Sequence, residues 1–189
     1  MVYVLLADGF EEAEALLPVD ILMRGGVDVR LCSVTGKKTV TGTHGITVTA
    51  ELLPETPLTD AEMLVLPGGM PGAATLDAYD RMTALCDAVL RDGGRLAAIC
   101  AAPMVLGKRG YLNGRRATAF PGFEKFLYGA DVKNNARVVT DGPVTTACGM
   151  GAAADFGLEL LTLLCGETVC ERVKNTAFLS DTRLSERPS

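Results

Sequence analysis

The chain has 189 residues, 48% of them hydrophobic, and its 18 basic and 23 acidic residues leave a formal charge of -5. This size predicts a single domain over residues 1–189, with a flexible tail from about residue 180, and the lack of a basic cluster argues against nucleic acid as a partner. No apolar stretch approaches the roughly 18 residues of a membrane helix, and no charged leader precedes the first strand. We therefore expect a cytoplasmic protein without a membrane partner.

Short apolar strands alternate with helical patterns along the chain. The predicted strands are, in order, Val2 to Ala7, Val27 to Val34, a hairpin over Thr39 to Thr49, Glu62 to Leu66, Leu96 to Ile99, Arg116 to Phe120, Arg137 to Thr140 and Pro143 to Ala147. The predicted helices are Phe10 to Gly25, Arg81 to Arg91, Ala101 to Leu106, Gly151 to Leu164 and Gly166 to Phe178. This alternation predicts an α/β fold with a parallel sheet, helices on both faces, and a site at the carboxyl ends of the strands.

The first strand ends in DGFEEAEALLPVD, which places three carboxylates in one helical turn. Glu14 shares its helical face with Leu17 and Ile21, and a carboxyl on such an apolar stripe tends to stay protonated and can act as a general acid or base. Glu12 is nearly as well placed by the same spacing, so periodicity does not choose between them. Glu11 best fits a solvated acidic first turn.

The strand over Glu62 to Leu66 is followed by PGGMPG. The bare backbone of Gly68 and Gly69 can approach a ligand closely and offer N–H groups to a developing oxyanion. A tight turn before a helix would explain the same two glycines.

The stretch RLAAICAAPM places Cys100 where a strand gives way to a helix. A nucleophile elbow needs small residues two positions before and after the nucleophile, and these are Ala98 and Ala102. Pro103 fits the first turn of the helix, whose free N–H groups favour a thiolate; a pKa lowered by about three units would make the thiol almost wholly ionised at pH 7. The alternative is a small buried hydrophobic residue that ends a strand.

The other cysteines lie in apolar runs, as reduced core cysteines do, and are Cys32, Cys86, Cys148, Cys165 and Cys170. The chain has no CxxC motif and a single histidine, His44. These observations predict neither disulfides nor a zinc site.

Taken together, DGFEEAEALLPVDILMRGG, LVLPGGMPGA, AAICAAP and GAAADFGLELL resemble the ThiJ/PfpI superfamily, also called the DJ-1 superfamily, and within it the DJ-1/YajL branch. The match runs in order from Val2 to about Phe178. It implies a flavodoxin-like three-layer sandwich, a homodimer, and an elbow cysteine that oxidises readily.

Carried over by position, the resemblance assigns the reactive cysteine to Cys100 and its protonated partner to Glu14, and so selects between the two glutamates. Gly69 and Ala101 match the residues whose backbone amides face the sulfur. Arg24 matches an arginine near an anion-binding pocket at the dimer contact. His44 matches a position, often arginine, that reaches toward the partner subunit's pocket.

Two departures from the family patterns bear on activity. The glyoxalase branch commonly has a histidine before proline where this chain has Phe120, and a phenyl ring cannot transfer protons. The protease-like branch has a histidine directly after the elbow cysteine, where this chain has Ala101. That replacement weakens a peptidase prediction, and the lack of any later histidine weakens a glutamine amidotransferase prediction.

The sequence therefore predicts a cysteine enzyme without cofactor or metal that acts on a small dicarbonyl or a glycated protein, by a glyoxalase III or deglycase reaction. Cys100 would attack the aldehyde, and Glu14 would transfer protons. The alternative function is an oxidative-stress sensor or redox-regulated chaperone that works through oxidation of Cys100. A structural α/β module with an unreactive cysteine is the third possibility.

Overall fold

The computed structural model describes residues 1–58 and 60–179. Its strands are β1 Val2–Leu6, β2 Val29–Ser33, β3 Thr39–Thr41, β4 Thr47–Thr49, β5 Met63–Leu66, β6 Arg95–Ile99, β7 Arg116–Ala117, β8 Asp131–Val132, β9 Val138–Asp141 and β10 Val144–Ala147. Its α-helices are α1 Glu12–Arg24, α2 Gly72–Ala78, α3 Met82–Arg91, α4 Pro103–Lys108, α5 Ala153–Cys165 and α6 Glu167–Thr176. The predicted flexible tail lies outside the described residues.

The central sheet contains six strands in the order β2-β1-β5-β6-β10-β9. All neighbours are parallel except β9, which pairs with β10 in an antiparallel hairpin around Asp141 and Val144. Strands β3 and β4 form a separate hairpin. The predicted α/β class with a mostly parallel sheet is therefore confirmed, and the carboxyl ends of β1, β5, β6 and β10 lie side by side at one edge.

The core has two layers because alternate residues of each strand point to opposite faces of the sheet. In β1, Tyr3 and Leu5 belong to the layer covered by α2, α3 and α4, whereas Val4 and Leu6 belong to the layer covered by α1 and α5. Helix α1 approaches α5 closely at Gly157, where a β carbon would lie 2.9 Å from the Cα of Pro18. This packing fixes α1, which carries the acidic turn, against the sheet.

The strand predicted over Arg116 to Phe120 is mostly wrong. The strand is limited to Arg116–Ala117, which pairs with β8 in a small separate sheet. The Thr118 N–H donates to the side chain of Thr146 at 2.9 Å and the Phe120 N–H donates to the carbonyl of Cys100 at 2.8 Å, so these groups do not join a ladder. Helix α2 was not predicted, because glycine and proline crowd its first turn.

No helix in the described part of the chain is both long and apolar enough to cross a membrane.

Candidate active site

Cys100 stands at the junction of β6 and α4 in a left-handed backbone conformation, with φ of 65°. Such a conformation costs on the order of 1–3 kcal/mol for a residue other than glycine, so its neighbours must hold it in place. The Cys100 N–H donates to the carbonyl of Ala147 at 2.9 Å. The flanking Ala98 and Ala102 are fully buried and leave room for the turn. This is the geometry that a nucleophile elbow requires.

The elbow directs the side chain of Cys100 toward β5, at Gly68. A β carbon on Gly68 would lie 3.0 Å from the Sγ atom of Cys100 and 2.5 Å from the Oε2 atom of Glu14. The missing side chain of Gly68 therefore gives the thiol and the carboxyl room to meet.

Glu14 reaches this point from the first turn of α1 and is 1% exposed. The Cys100 thiol and the backbone N–H groups of Gly68 and Met150 lie near its carboxyl. Its Oε2 atom is buried and makes no hydrogen bond of good geometry. A buried carboxyl oxygen without a good partner favours the protonated form, because the charge is poorly solvated.

Burial, helped by the nearby charge of Glu11, raises the pKa of Glu14 to about 7, while interactions with Cys100 and the two backbone N–H groups lower it. Glu14 can therefore both hold and release a proton near neutral pH, as a general acid and base must.

Burial also raises the pKa of the Cys100 thiol, to about 12, together with the charge of Glu14 and its hydrogen bond; the N–H groups of Gly69 and Ala101 lower it. This direction is opposite to the sequence prediction, which counted the amides but not burial or an ionised Glu14. When Glu14 carries the proton, its repulsion disappears and it can donate to the sulfur. Ionisation of Cys100 is thus coupled to protonation of Glu14.

The two amides expected to face the sulfur, those of Gly69 and Ala101, do lie beside it. Gly69 has φ of 86°, and a β carbon there would lie 2.4 Å from the backbone nitrogen of Glu11. Only glycine fits this close approach. The two N–H groups come from different strand ends, so the sheet itself holds them in place around the thiol.

Arg24 does not reach the site within its own chain. It ends α1, about 15 Å along the helix axis from Glu14 at 1.5 Å per residue. Its Nε atom pairs with the Asp20 carboxylate at 2.6 Å, and both side chains are exposed.

His44 lies on the turn of the β3–β4 hairpin and contacts Glu12 of the same chain. Its Nδ1 atom is 2.7 Å from one carboxylate oxygen of Glu12, and its backbone N–H donates to the other at 2.7 Å. Burial alone would raise the pKa of Glu12, but these hydrogen bonds lower it to about 2. The same pairing raises the pKa of His44. The two glutamates that periodicity could not separate thus have different partners.

Glu11, Glu12 and His44 also have donor atoms within 4.8 Å of one another, a spacing that could hold a metal ion. Those atoms are already engaged, because Glu12 accepts from His44 and Thr43, and Glu11 accepts from the Glu14 N–H at 2.6 Å. Their arrangement is explained by docking of the hairpin onto the start of α1.

Sequence reasoning missed Gly149 and Met150, which follow β10. A β carbon on Gly149 would lie 3.1 Å from the ring of Phe120 and 3.9 Å from the Oε1 atom of Glu14. The available signal was the glycine-rich GMG one residue after the last strand of the parallel set, at the edge where sites are expected.

Comparisons with known proteins agree with this geometry. A family model described as the DJ-1/PfpI family matches residues 1–163. Protein DJ-1 homolog A of Arabidopsis thaliana is 35% identical, and the match covers 92% of this chain but only 45% of that protein, so the chain spans less than half of its relative's length. A protein of Pyrococcus abyssi named a deglycase is 35% identical over 75% of this chain and 85% of its own.

Solved structures are similar over nearly the whole chain. Drosophila melanogaster DJ-1beta superposes with a TM-score of 0.88 at 29% identity, covering 94% of this chain and 96% of that one. Toxoplasma gondii DJ-1, in an oxidised form, gives a TM-score of 0.85 at 31% identity, covering 94% and 97%. These likenesses confirm the flavodoxin-like sandwich that the sequence motifs implied.

Proposed function

Because this chain belongs to the DJ-1/PfpI family, we propose that it is a cysteine enzyme acting on reactive dicarbonyls, by a glutathione-independent glyoxalase III or protein deglycase reaction that needs no bound cofactor. The observation that carries the proposal is the interaction of the Cys100 thiol with the Glu14 carboxyl, both of which lie against Gly68. A relative named a deglycase supports the substrate class.

The reaction starts with a proton shift within the pair, which converts a thiol and a carboxylate into a thiolate and a carboxylic acid. The Cys100 sulfur forms a bond to the aldehyde carbon, and the carbonyl oxygen takes the electron pair. The N–H groups of Gly69 and Ala101 stabilise that oxyanion until Glu14 protonates it. The product of this step is a hemithioacetal.

Glu14, now a carboxylate, removes the proton from the former aldehyde carbon and returns it to the neighbouring carbon. The hydroxyl proton of the hemithioacetal moves through water to the neighbouring carbonyl oxygen, so that a thioester with an adjacent hydroxyl group forms. Water then cleaves the carbon–sulfur bond and releases a 2-hydroxy acid and the thiol. The net reaction adds one water to the dicarbonyl, without an external oxidant or reductant. In the deglycase variant, the attacked carbon already carries a hydroxyl group and the amine or thiol of the glycated protein. The Cys100 sulfur bonds to that carbon, the bond to the amine or thiol breaks, and the leaving group takes the proton of Glu14 and departs neutral.

Phe120 cannot take part in these transfers, because its ring has no exchangeable proton. Its N–H binds the Cys100 carbonyl at 2.8 Å, so the residue supports the elbow through its backbone. Proton transfer is accordingly assigned to Glu14 and water.

The direct test is turnover of methylglyoxal to lactate by purified Cys100→Ala protein. We expect at least a hundredfold loss, whereas Cys165→Ala, which removes an exposed cysteine on α5, serves as the matched control and should retain wild-type turnover. Full activity in Cys100→Ala would refute the proposal.

The second candidate function is a redox sensor or redox-regulated chaperone. A partly buried thiol beside two backbone N–H groups favours it, because a sulfinate made by peroxide would find donors in Gly69, Ala101 and protonated Glu14. An oxidised structure of a relative also supports it. Mass mapping after peroxide, paired with an aggregation-suppression assay, separates this function from dicarbonyl turnover.

A homodimer is the assembly proposed for either function. Met23 and Ile46, both exposed, lie beside Arg24 and near His44 and supply apolar surface for such a contact. Sedimentation of the purified chain across a concentration series tests it.

A further inference from the structure

Three large, exposed apolar side chains stand on the loops that build the site. They are Met70 after β5, Phe120 after β7 and Met150 after β10, with exposed fractions of 50%, 47% and 58%. We call these three residues the apolar rim. Singly exposed apolar side chains are common, but three on the loops of one reactive centre form an apolar surface of the kind that marks ligand-binding sites.

Each rim residue is tied through the backbone to the reacting pair. Met70 directly follows Gly69, whose N–H lies beside the thiol. The N–H of Phe120 donates to the carbonyl of Cys100 at 2.8 Å, and the N–H of Met150 faces the carboxyl of Glu14. The rim therefore surrounds the place where a substrate would bond to sulfur.

Among the rim residues, Phe120 has the side chain whose position relative to Glu14 is best defined. Both its Cδ2 atom and the Oε1 atom of Glu14 lie within 4 Å of the position that a β carbon on Gly149 would take. The ring and the carboxyl thus flank the same backbone position, which has no side chain of its own. A flat substituent on the substrate has a stacking surface there.

The rim loops carry no charge. Residues 67–72, 119–123 and 147–152 include no Asp, Glu, Lys or Arg. A phosphate or carboxylate on the substrate would therefore find no cationic side chain within these loops. Arg137 donates to the carbonyl of Gly151 in the third loop, but its guanidinium is already paired with the Asp155 carboxylate. A polyhydroxyl chain would meet apolar side chains instead of hydrogen-bonding side chains.

We propose that the apolar rim binds the substituent of the dicarbonyl, and that the preferred substrates are α-oxoaldehydes bearing a neutral aryl or branched alkyl group. This inference rests on the proposed dicarbonyl chemistry. Methyl-substituted, sugar-derived and phosphate-bearing dicarbonyls are the disfavoured classes. Discrimination by an apolar pocket is commonly about tenfold to two-hundredfold, and an open rim belongs at the lower end of that range.

The test compares kcat/KM for phenylglyoxal and methylglyoxal in wild type and in the Phe120→Ala, Met150→Ala and double variants. We expect the ratio of the two values to fall about tenfold in the double variant. Tyr128→Ala removes an aromatic side chain that is 53% exposed outside the rim, and it is the matched control that should keep the wild-type ratio. An unchanged ratio in the double variant overturns the proposal.

A second measurement does not depend on turnover. Cys100 is alkylated with N-phenylmaleimide and N-methylmaleimide, and the rate ratio is compared with that at the exposed Cys165 in the same protein. We expect a higher phenyl preference at Cys100 that the double rim variant loses. Equal ratios at the two cysteines overturn the proposal, including the case where a second copy of the chain covers the rim.

The two measurements together distinguish a failure of the proposed dicarbonyl reaction from a failure of the proposed role of the apolar rim. A phenyl preference at Cys100 in a wild-type protein that turns over no dicarbonyl would refute the proposed function and the substrate class. Dicarbonyl turnover without any rim-dependent preference would refute the rim alone.

Discussion

Cys100 and Glu14 compete for one proton, and their opposed tendencies define the chemistry of the site. Burial disfavours charge on either group, so the pair keeps both protons below about pH 7 and holds a single negative charge above it. The backbone N–H groups of Gly69 and Ala101 favour placing that charge on sulfur. The reactivity of the thiol therefore depends on the protonation of its neighbour more than on the elbow alone.

Glu14→Gln tests this coupling. The variant keeps a hydrogen-bond donor but removes the carboxylate charge, so the pKa of Cys100 should fall and its alkylation at pH 7 should accelerate about tenfold. Dicarbonyl turnover should nevertheless fall at least a hundredfold, because no group remains to transfer protons. Alkylation rates by mass mapping and lactate formation measure the two effects. Slower alkylation in Glu14→Gln, or unchanged turnover, would contradict the assignment.

The same carboxyl makes stability depend on pH. Its pKa is raised from 4.5 to about 7 in the folded chain, so the stability it contributes is complete below pH 4.5 and is lost as pH rises through about 7. The loss amounts to about 3 kcal/mol by linkage. Urea unfolding under reducing conditions should give equal stabilities for wild type and Glu14→Gln at pH 4 and a more stable variant at pH 8. Equal stability at both pH values would show that Glu14 titrates normally.

The sequence indicated which residues form the reacting pair, Cys100 and Glu14, but it did not give the correct direction of the Cys100 pKa shift. The small neighbours of Cys100 and the position of Glu14 on an apolar stripe were readable, and the family pattern chose Glu14 over Glu12. The direction of the Cys100 pKa shift was wrong, because the burial of a strand end depends on which loops cover it. The same limit concealed Met150, whose N–H faces Glu14 only after the last strand joins the sheet.

At the scale of elements, the loop after β5 determines whether helix α1 and the elbow can meet. Gly68 lies between them without a side chain, and a β carbon there would lie 2.5 Å from Glu14 Oε2 and 2.6 Å from Cys100 Cβ. Neither atom can easily move away. The elbow fixes the Cβ atom of Cys100, and burial fixes the carboxyl of Glu14. The thiol and the carboxyl can thus meet only because this loop has no side chain at Gly68.

Gly68→Ala should separate the pair. We expect a destabilisation of about 1–3 kcal/mol from overpacking and a loss of most dicarbonyl turnover. Gly151→Ala is the matched control, because a β carbon at Gly151 meets nothing within 4 Å. Unfolding midpoints and turnover of the two variants provide the comparison. An active Gly68→Ala protein would mean that the contact is not needed for catalysis.

The β3–β4 hairpin is the second element that bounds the site. Its Thr43 N–H donates to the Phe10 carbonyl at 2.8 Å, and the Thr41 N–H donates to the Asp8 carboxylate at 2.9 Å. With the pairing of His44 and Glu12, these bonds hold the hairpin against the start of α1. The sequence indicated the hairpin through its glycines, but only the structure gives its docking position.

For the whole molecule, alternation of strands and helices was sufficient to predict the layers, and the parallel order of the sheet brings four strand ends together. The exceptions are local. Helix α2 begins within a run of glycine and proline, and the strand predicted to Phe120 ends early because Thr118 and Phe120 bond to neighbouring elements instead. Both exceptions lie at the edge of the sheet that carries the site, where tertiary contacts override local preference.

The last prediction concerns a contribution of His44 to the site of a second subunit. The sequence hypothesis assigns it such a role, whereas its contacts with Glu12 in the same chain account for its ring and its backbone N–H. We therefore expect His44→Ala to keep dicarbonyl turnover. We also expect it to remove the stability that His44 contributes below its ordinary pKa of 6.5, which is lost as pH rises through the raised folded-state pKa.

Turnover of His44→Ala and urea unfolding between pH 5 and 9 measure these two effects. If His44→Ala is instead inactive, mixing it with Cys100→Ala subunits decides between the two roles. A histidine that acts across the dimer gives each mixed dimer one site with a wild-type Cys100 and the partner's wild-type His44, and activity returns. A histidine that acts within its own chain leaves each subunit of the mixed dimer with one defect, and activity stays absent.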